Sequence, residues 1–247
     1  MQPVMKLLVV VAHPDDEAFG CGSLLAHATA SGVESTVVCA TRGELGEVAG
    51  AAGPIAREDL GRVREAELHA ATTLLGVRDV VVLGWRDSGV GGLPEPDSLV
   101  AAPIGAVIAA VAEVIERVQP DVVVTLDASD GHRDHAAIRD ATLAAVAQTA
   151  WRPARTYLWC LPRSLLAEFT GVPTLGTPDA DITTVVDVAR HEDLRWRAMR
   201  AHASQTPPYD AMSVEMQHDF LRLDRLLRID PVWDGGPAER DWMPQPS

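Results

Sequence analysis

Aromatic residues make up only 4% of the 247-residue sequence, so a core has to rest on Ala, Val and Leu within its 47% hydrophobic content. Basic residues are scarce too. The 21 Lys and Arg stand against 35 Asp and Glu, and a net charge of −14 argues against general binding to nucleic acid or anionic membrane. Cysteine is limited to Cys21, Cys39 and Cys160, an odd and widely spaced set without a C-x-x-C pair, which fits a reducing cytoplasm. No apolar run reaches the length of a membrane span; the apolar start meets charge after a few positions and has no small-residue cleavage site, so no export signal is expected. G-x-G-x-x-G is absent, and Gly20 and Gly22 fall inside a predicted helix, which sets a dinucleotide loop aside. Without internal repeats or a dividing linker, the expectation is one catalytic α/β domain over residues 1–230 and an irregular tail over 231–247.

Against that background one stretch stands out. Lys6-Leu7-Leu8-Val9-Val10-Val11 reads as a strand covered on both faces, and it ends in Ala12-His13-Pro14-Asp15-Asp16-Glu17, one imidazole and three carboxylates. Pro14 removes a ladder donor and favours an extended His13, so the carboxylates enter a turn at the strand's carboxyl end, where open α/β sheets bind ligands. Three successive acids repel one another unless a cation gathers them or solvent reaches them all. A divalent metal can take a neutral nitrogen of His13 and an oxygen of Asp15 or Asp16, leaving the other carboxylate to accept a proton. The alternative is a helix start, with Asp15 or Asp16 as N-cap and Glu17 in the first turn.

Further along, Phe19, Leu24, Leu25 and Ala28 at helical spacing predict a helix over 17–31, and residues 34–41 read as a second strand. A small-residue loop over 46–54 leads into a charged helix over 56–75, from whose self-paired face one arginine can turn inward to hold substrate. A strand over 79–84 ends in a polar loop that can wall a pocket, and a helix is predicted over 98–118. The fourth strand, 121–127, delivers Asp127-Ala128-Ser129-Asp130-Gly131-His132-Arg133-Asp134-His135 ahead of a helix over 136–150. This βα alternation implies a doubly wound sheet with strand four beside strand one at a topological switch point. One ion can then take His13, one Asp and one of the two later histidines, with a position left open for water. Later strands are expected over 155–161 and 181–188, a loop-rich roof over 164–178 and a helix over 189–203. An amphipathic helix over 212–229 carries Met216, Phe220, Leu223 and Leu227 on one side, a core stripe whose alternative use is a homo-oligomer contact. His202 reads as a partly buried histidine bonded to backbone.

Ala12-His13-Pro14-Asp15-Asp16-Glu17, Thr41-Arg42-Gly43-Glu44, Arg64 with Glu67, Gly131-His132-Arg133-Asp134-His135 and His202-Ala203-Ser204-Gln205 together resemble the PIG-L/LmbE-like family of zinc-dependent N-deacetylases, from strand one to about Gln205. The resemblance implies a Rossmann-like three-layer α/β/α fold with a mostly parallel sheet. It implies metal ligands at His13, Asp16 and His135, a general base at Asp15 and His132 as the group facing the oxyanion. Zn2+ is the implied cofactor, with Fe2+ suited to the same ligands. Arg64, with Arg42 and Glu44, is the implied substrate-binding set. Where the family often reads His-Pro-Asp-His, this chain has Arg133 in place of the proline, a cation at the rim that loosens a turn and removes no ligand. Asp134 is expected to orient His132 or raise its basicity.

On that reading zinc acidifies a water and polarises an acetamide carbonyl, Asp15 passes a proton from the water to the leaving amine, and protonated His132 faces the oxyanion. The expected partner is a small-molecule amino-sugar conjugate with an N-acetylglucosaminyl group. An amidase cutting a larger acyl group from a thiol-sugar conjugate would use the same machinery. A nucleotide-binding module without catalysis is disfavoured by the missing glycine loop, and a metal phosphoesterase by too few carboxylates for two ions about 3.5–4 Å apart.

Overall fold

In the computed structural model, residues 4–48, 53–205 and 212–244 are described; part of the expected 46–54 loop, together with Pro207 and Pro208, lies outside them. β1 (Lys6–Val11) pairs in parallel with β2 (Glu34–Thr41) on one side and β4 (Val122–Leu126) on the other, Val9 standing opposite Val37 and Val124. Residues Leu7 to Val11 are wholly buried, as an uninterrupted apolar run at a sheet centre requires. With β3 (Asp79–Trp85), β5 (Arg155–Trp159), β6 (Thr184–Asp187) and β7 (Leu223–Asp230), the sheet has seven strands in the order β3-β2-β1-β4-β5-β7-β6. β1 to β5 run parallel, while β7 is antiparallel to both its neighbours. α2 (Gly22–Ala30), α3 (Leu60–Leu75) and α7 (Glu192–Ala201) pack together in one layer, α4 (Ile104–Val118) and α5 (Arg133–Gln148) in the other. The expected Rossmann-like three-layer architecture is therefore present, with its chain reversal between β1 and β4.

Several elements differ from expectation, each for a local reason. The predicted helix over 17–31 is two helices, α1 (Asp16–Phe19) and α2, broken at Gly20 and Cys21. Arg195 of α7 donates to the carbonyls of Phe19 and Gly20 that the break frees, and a Cβ at Gly22 would stand 3.0 Å from the Arg195 stem. α4 starts at Ile104 rather than 98 because Pro103 disfavours helical geometry in the residue before it. α5 starts at Arg133, three residues earlier than expected, with the His132 ring accepting the Asp134 N–H as its cap.

The roof over 164–178 contains α6 (Arg163–Thr170). The predicted helix over 212–229 is α8 (Val214–Arg222) followed by β7. Pairing of β7 with both β5 and β6 overrides the local helical pattern there. Past β7 the chain straps back over the sheet: Glu239 bridges to Thr184, its carboxylate meets Arg155 and Arg228, and Trp242 is fully buried. Among the described residues no helix is long and apolar enough to cross a membrane.

Candidate metal centre

The carboxyl ends of β1 and β4 meet as the topology requires. Asp16, at the head of α1, is pinned under the turn by accepting the backbone N–H groups of His13 at 2.8 Å and Ala12 at 3.1 Å. Its oxygens lie 3.6 Å from His13 Nδ1 and 3.3 Å from His135 Nε2. Asp16 thus reaches both rings, through Oδ2 to His13 and Oδ1 to His135, a donor set whose chemistry suits a divalent metal; among the described residues, His13, His132 and His135, and likewise His13, Asp87 and Asp134, each bring one possible ligand atom within 4.8 Å of the others. Asp15 stands at the N-cap of α1 with Asp16 and Glu17 in its first turn, as the helix-start reading expects, though its carboxylate makes no cap bond; both readings hold for the same residues.

Each imidazole is backed from behind. Nε2 of His13 is 3.1 Å from Asp134 Oδ2 and 3.6 Å from Asp87 Oδ1, while Nδ1 of His135 is 2.6 Å from Asp130 Oδ2. A carboxylate on the remote nitrogen fixes tautomer and ring orientation, which leaves His13 Nδ1 and His135 Nε2 facing the shared Asp16. Burial lowers the basicity of both rings, but the surrounding carboxylates more than offset it: His13 lies well above its ordinary value and His135 is pushed up to about 10. Burial would raise Asp16 and Asp87, yet the two histidines hold Asp16, and His13 with the N–H groups of Gly89 and Leu45 holds Asp87, well below the usual carboxylate range.

Two expectations need correction. The carboxylate of Asp134 does not serve His132; fully buried, it faces His13 and accepts the Ser88 N–H at 2.9 Å. Because α5 begins at Arg133, Asp134 and His135 are successive helical residues about 100° apart, so the two side chains address different targets. Nor is His132 protonated. Its Nδ1 accepts the Asp134 N–H at 3.2 Å, which places the ring proton on Nε2, and burial shifts its pKa downward in the same sense. The ring lies 4.7 Å, centroid to centroid, from both His13 and His135.

Asp15 occupies a strained backbone, φ 134° and ψ −32°. Glu17 Oε2 accepts its N–H at 3.0 Å, and Glu17 Oε1 is 2.7 Å from His202 Nε2 in a wholly buried pair. His202 is thus bonded to a carboxylate rather than to backbone, and Glu17 lifts its pKa against the opposing effect of burial. Burial raises the Asp15 pKa to about 6, more than the nearby Arg64 charge lowers it.

The implied substrate-binding residues are engaged within the protein. Arg64, 3% exposed, donates to the carbonyls of Gly43 (2.8 Å) and Pro14 (2.6 Å) and lies 3.0 Å from Asp15 Oδ2; a Cβ at Gly43 or Gly46 would collide with its guanidinium. It is the arginine that turns inward, and it holds the Asp15 turn. Arg42 pairs with Glu65 at 2.6 Å, and Glu44 accepts the Asp87 N–H at 3.1 Å. Arg133 ties the loop after β3 to α5 through the carbonyls of Gly89 and Gly92. Sequence reasoning missed the parts played by Asp87, Asp130 and Glu17. Asp87 follows the carboxyl end of β3, a position that could have marked it by the rule applied to His13.

A doubly wound sheet whose switch-point crevice assembles two carboxylate-backed imidazoles and a shared carboxylate belongs to the Rossmann-like class, with a candidate metal site at that edge. Within that class, the family model described as PIG-L, GlcNAc-PI de-N-acetylase, matches residues 8–146, a span holding both clusters, and the chain belongs to the PIG-L family. A protein of Thermobispora bispora named 1D-myo-inositol 2-acetamido-2-deoxy-alpha-D-glucopyranoside deacetylase is 35% identical over 260 residues, covering 89% of this chain and 86% of its own. N,N'-diacetylchitobiose deacetylase from Pyrococcus horikoshii has the same fold, with a TM-score of 0.70 at 19% identity over 92% of this chain and 85% of that one. So does GalB, the 4-carboxy-2-hydroxymuconate hydratase of Pseudomonas putida, at 0.67 and 21% identity over 95% of this chain and 100% of that one. A fold shared with a hydratase does not by itself name the reaction.

Proposed function

We propose that this chain is a metal-dependent N-deacetylase that removes the acetyl group from an N-acetylglucosaminyl conjugate, using Zn2+ or, with the same ligands, Fe2+. The observation that carries this reading is the convergence of His13 Nδ1, Asp16 and His135 Nε2 beside Asp15, in a chain whose family and relatives are named for de-N-acetylation. A divalent ion held there supplies Lewis-acid polarisation of the amide carbonyl and acidification of a water. Asp15, with its pKa near 6, accepts the proton of the attacking water and returns it to the amine as the C–N bond breaks. Arg64 and Glu17 keep that carboxylate at the crevice. Neutral His132 donates from Nε2 to the oxygen on which negative charge develops, a contact whose loss costs roughly a hundredfold or more in rate. Buried free thiols at Cys21, Cys39 and Cys160 support a reducing cytoplasm as its compartment.

Free-amine release from inositol-, malate-, lipid- and antibiotic-linked N-acetylglucosaminides, with metal content measured per chain, tests the reading. Asp15→Ala should keep its metal and lose turnover, whereas His13→Ala should lose both. Equal metal contents and equal rates for the two variants would refute these roles.

A further inference from the structure

Arg133, the first residue of α5, gives its whole side chain to one loop. Nε donates to the carbonyl of Gly89 at 2.7 Å, Nη1 to that of Gly92 at 2.9 Å and Nη2 to that of Gly91 at 3.2 Å. The outer end of this loop lacks stiffness of its own. Gly89 and Gly92 have φ of 65° and 73°, and Val90 and Leu93 are 90% and 97% exposed, so their side chains add little packing. The inner end is buried and reaches the crevice: Asp87 Oδ1 accepts the Gly89 N–H at 2.7 Å and stands 3.6 Å from His13 Nε2, while the N–H of Ser88 donates to Asp134 Oδ2 at 2.9 Å. Arg133 and Asp134 leave the helix about 100° apart, so two successive residues grip one loop, at 89–92 and at Ser88.

A guanidinium suits this task because its planar fork sends donors in several fixed directions, which a point charge does not. A proline at this position, as in His-Pro-Asp-His, would fit the first turn of the helix and bring no donor to the three carbonyls. Gly89 is the joint: its carbonyl is held by Arg133, and its N–H holds Asp87. Resting on the reading of His13 as a metal ligand above, we propose that Arg133 is a positioning residue, which through Gly89 keeps Asp87 behind the His13 ring and so sets the affinity of the site for its metal. Asp134 faces the same ring nitrogen at 3.1 Å, so removing Arg133 costs the ring one of its two carboxylates and leaves the other.

The test compares Arg133→Ala, Arg133→Pro, Asp87→Asn and the Arg133→Ala/Asp87→Asn double variant with the unaltered protein. In the metal-free state, the two Arg133 variants should speed hydrogen exchange at the Ser88 and Gly89 amides. They should also move the His13 ring signals in 1H–15N NMR in the direction that Asp87→Asn moves them. In a competition titration with Zn2+, each Arg133 variant should bind about tenfold more weakly, with Tm little changed. The double variant should bind no more weakly than Asp87→Asn alone, because residues acting through one contact are not additive. Zinc affinity and His13 signals that stay put in both Arg133 variants overturn the proposal. So do losses that multiply in the double variant, which would mean that Arg133 acts by a route other than Asp87. If His13→Ala binds zinc as well as the unaltered protein, the metal reading fails on its own. The metal-free spectra then still decide: His13 signals that move keep the positioning role, and signals that do not move remove it.

Discussion

On the histidine side of the crevice, proposed to hold the metal, His13 and His135 are aimed by side chains: Asp134 and Asp130 hold the far nitrogens, and Asp16 faces the near ones. On the opposite side Asp15 is aimed by backbone. Its φ of 134° is held by Glu17 on its N–H and by Arg64 on its carboxylate, with His202 behind Glu17. Such a conformation costs of order 1–3 kcal/mol and persists only where its surroundings over-determine it. The difference teaches where each half is fragile. Weakening one backing carboxylate shifts a ring whose other contacts remain, so loss is graded, whereas weakening the Glu17 clamp releases a strained turn and moves the Asp15 carboxylate itself.

The largest effect is expected at that clamp. Glu17→Ala leaves the buried His202 without its carboxylate, and breaking a buried pair costs about 3–5 kcal/mol, a fall in Tm on the order of 10 °C for a domain this size. Glu17→Gln keeps an acceptor for the Asp15 N–H and should recover part of kcat at unchanged metal content. Equal kcat for the two variants would show that the N–H contact does not position the base.

A smaller effect is expected on the ligand side. Asp130→Asn should weaken metal binding about 10- to 100-fold in a competition titration, with little change in Tm. A loss of fold instead would erase the contrast between the two halves. The smallest effect is expected outside both: the Arg42–Glu65 pair is part-exposed and worth about 0–1 kcal/mol. Arg42→Ala should leave Tm and KM nearly unchanged, and a clear rise in KM would return Arg42 to the substrate.

Most of the sheet was legible because a buried parallel strand announces itself locally, and β1 to β4 follow their apolar runs within a residue or two. β7 was not, because Leu223 to Asp230 becomes a strand only through β5 and β6, which lie elsewhere in the chain. The same contrast runs through the site. The family motifs pointed to His13, Asp16 and His135, but the partner of Asp134 depends on where α5 begins, and the role of Arg64 on a loop it reaches through Gly43.

From sequence alone came the inventory of the crevice: which imidazoles and carboxylates exist, and that they sit where apolar strands end, since strand pattern and turn chemistry act over a few residues. Tertiary structure alone decided which carboxylate stands behind which ring, that His132 keeps a lone pair towards a helix N–H, and that Arg133 meets three carbonyls of the loop after β3. Those outcomes turn on contacts between residues as much as 121 positions apart, and nothing in a local stretch of chain encodes the distance at which such groups meet.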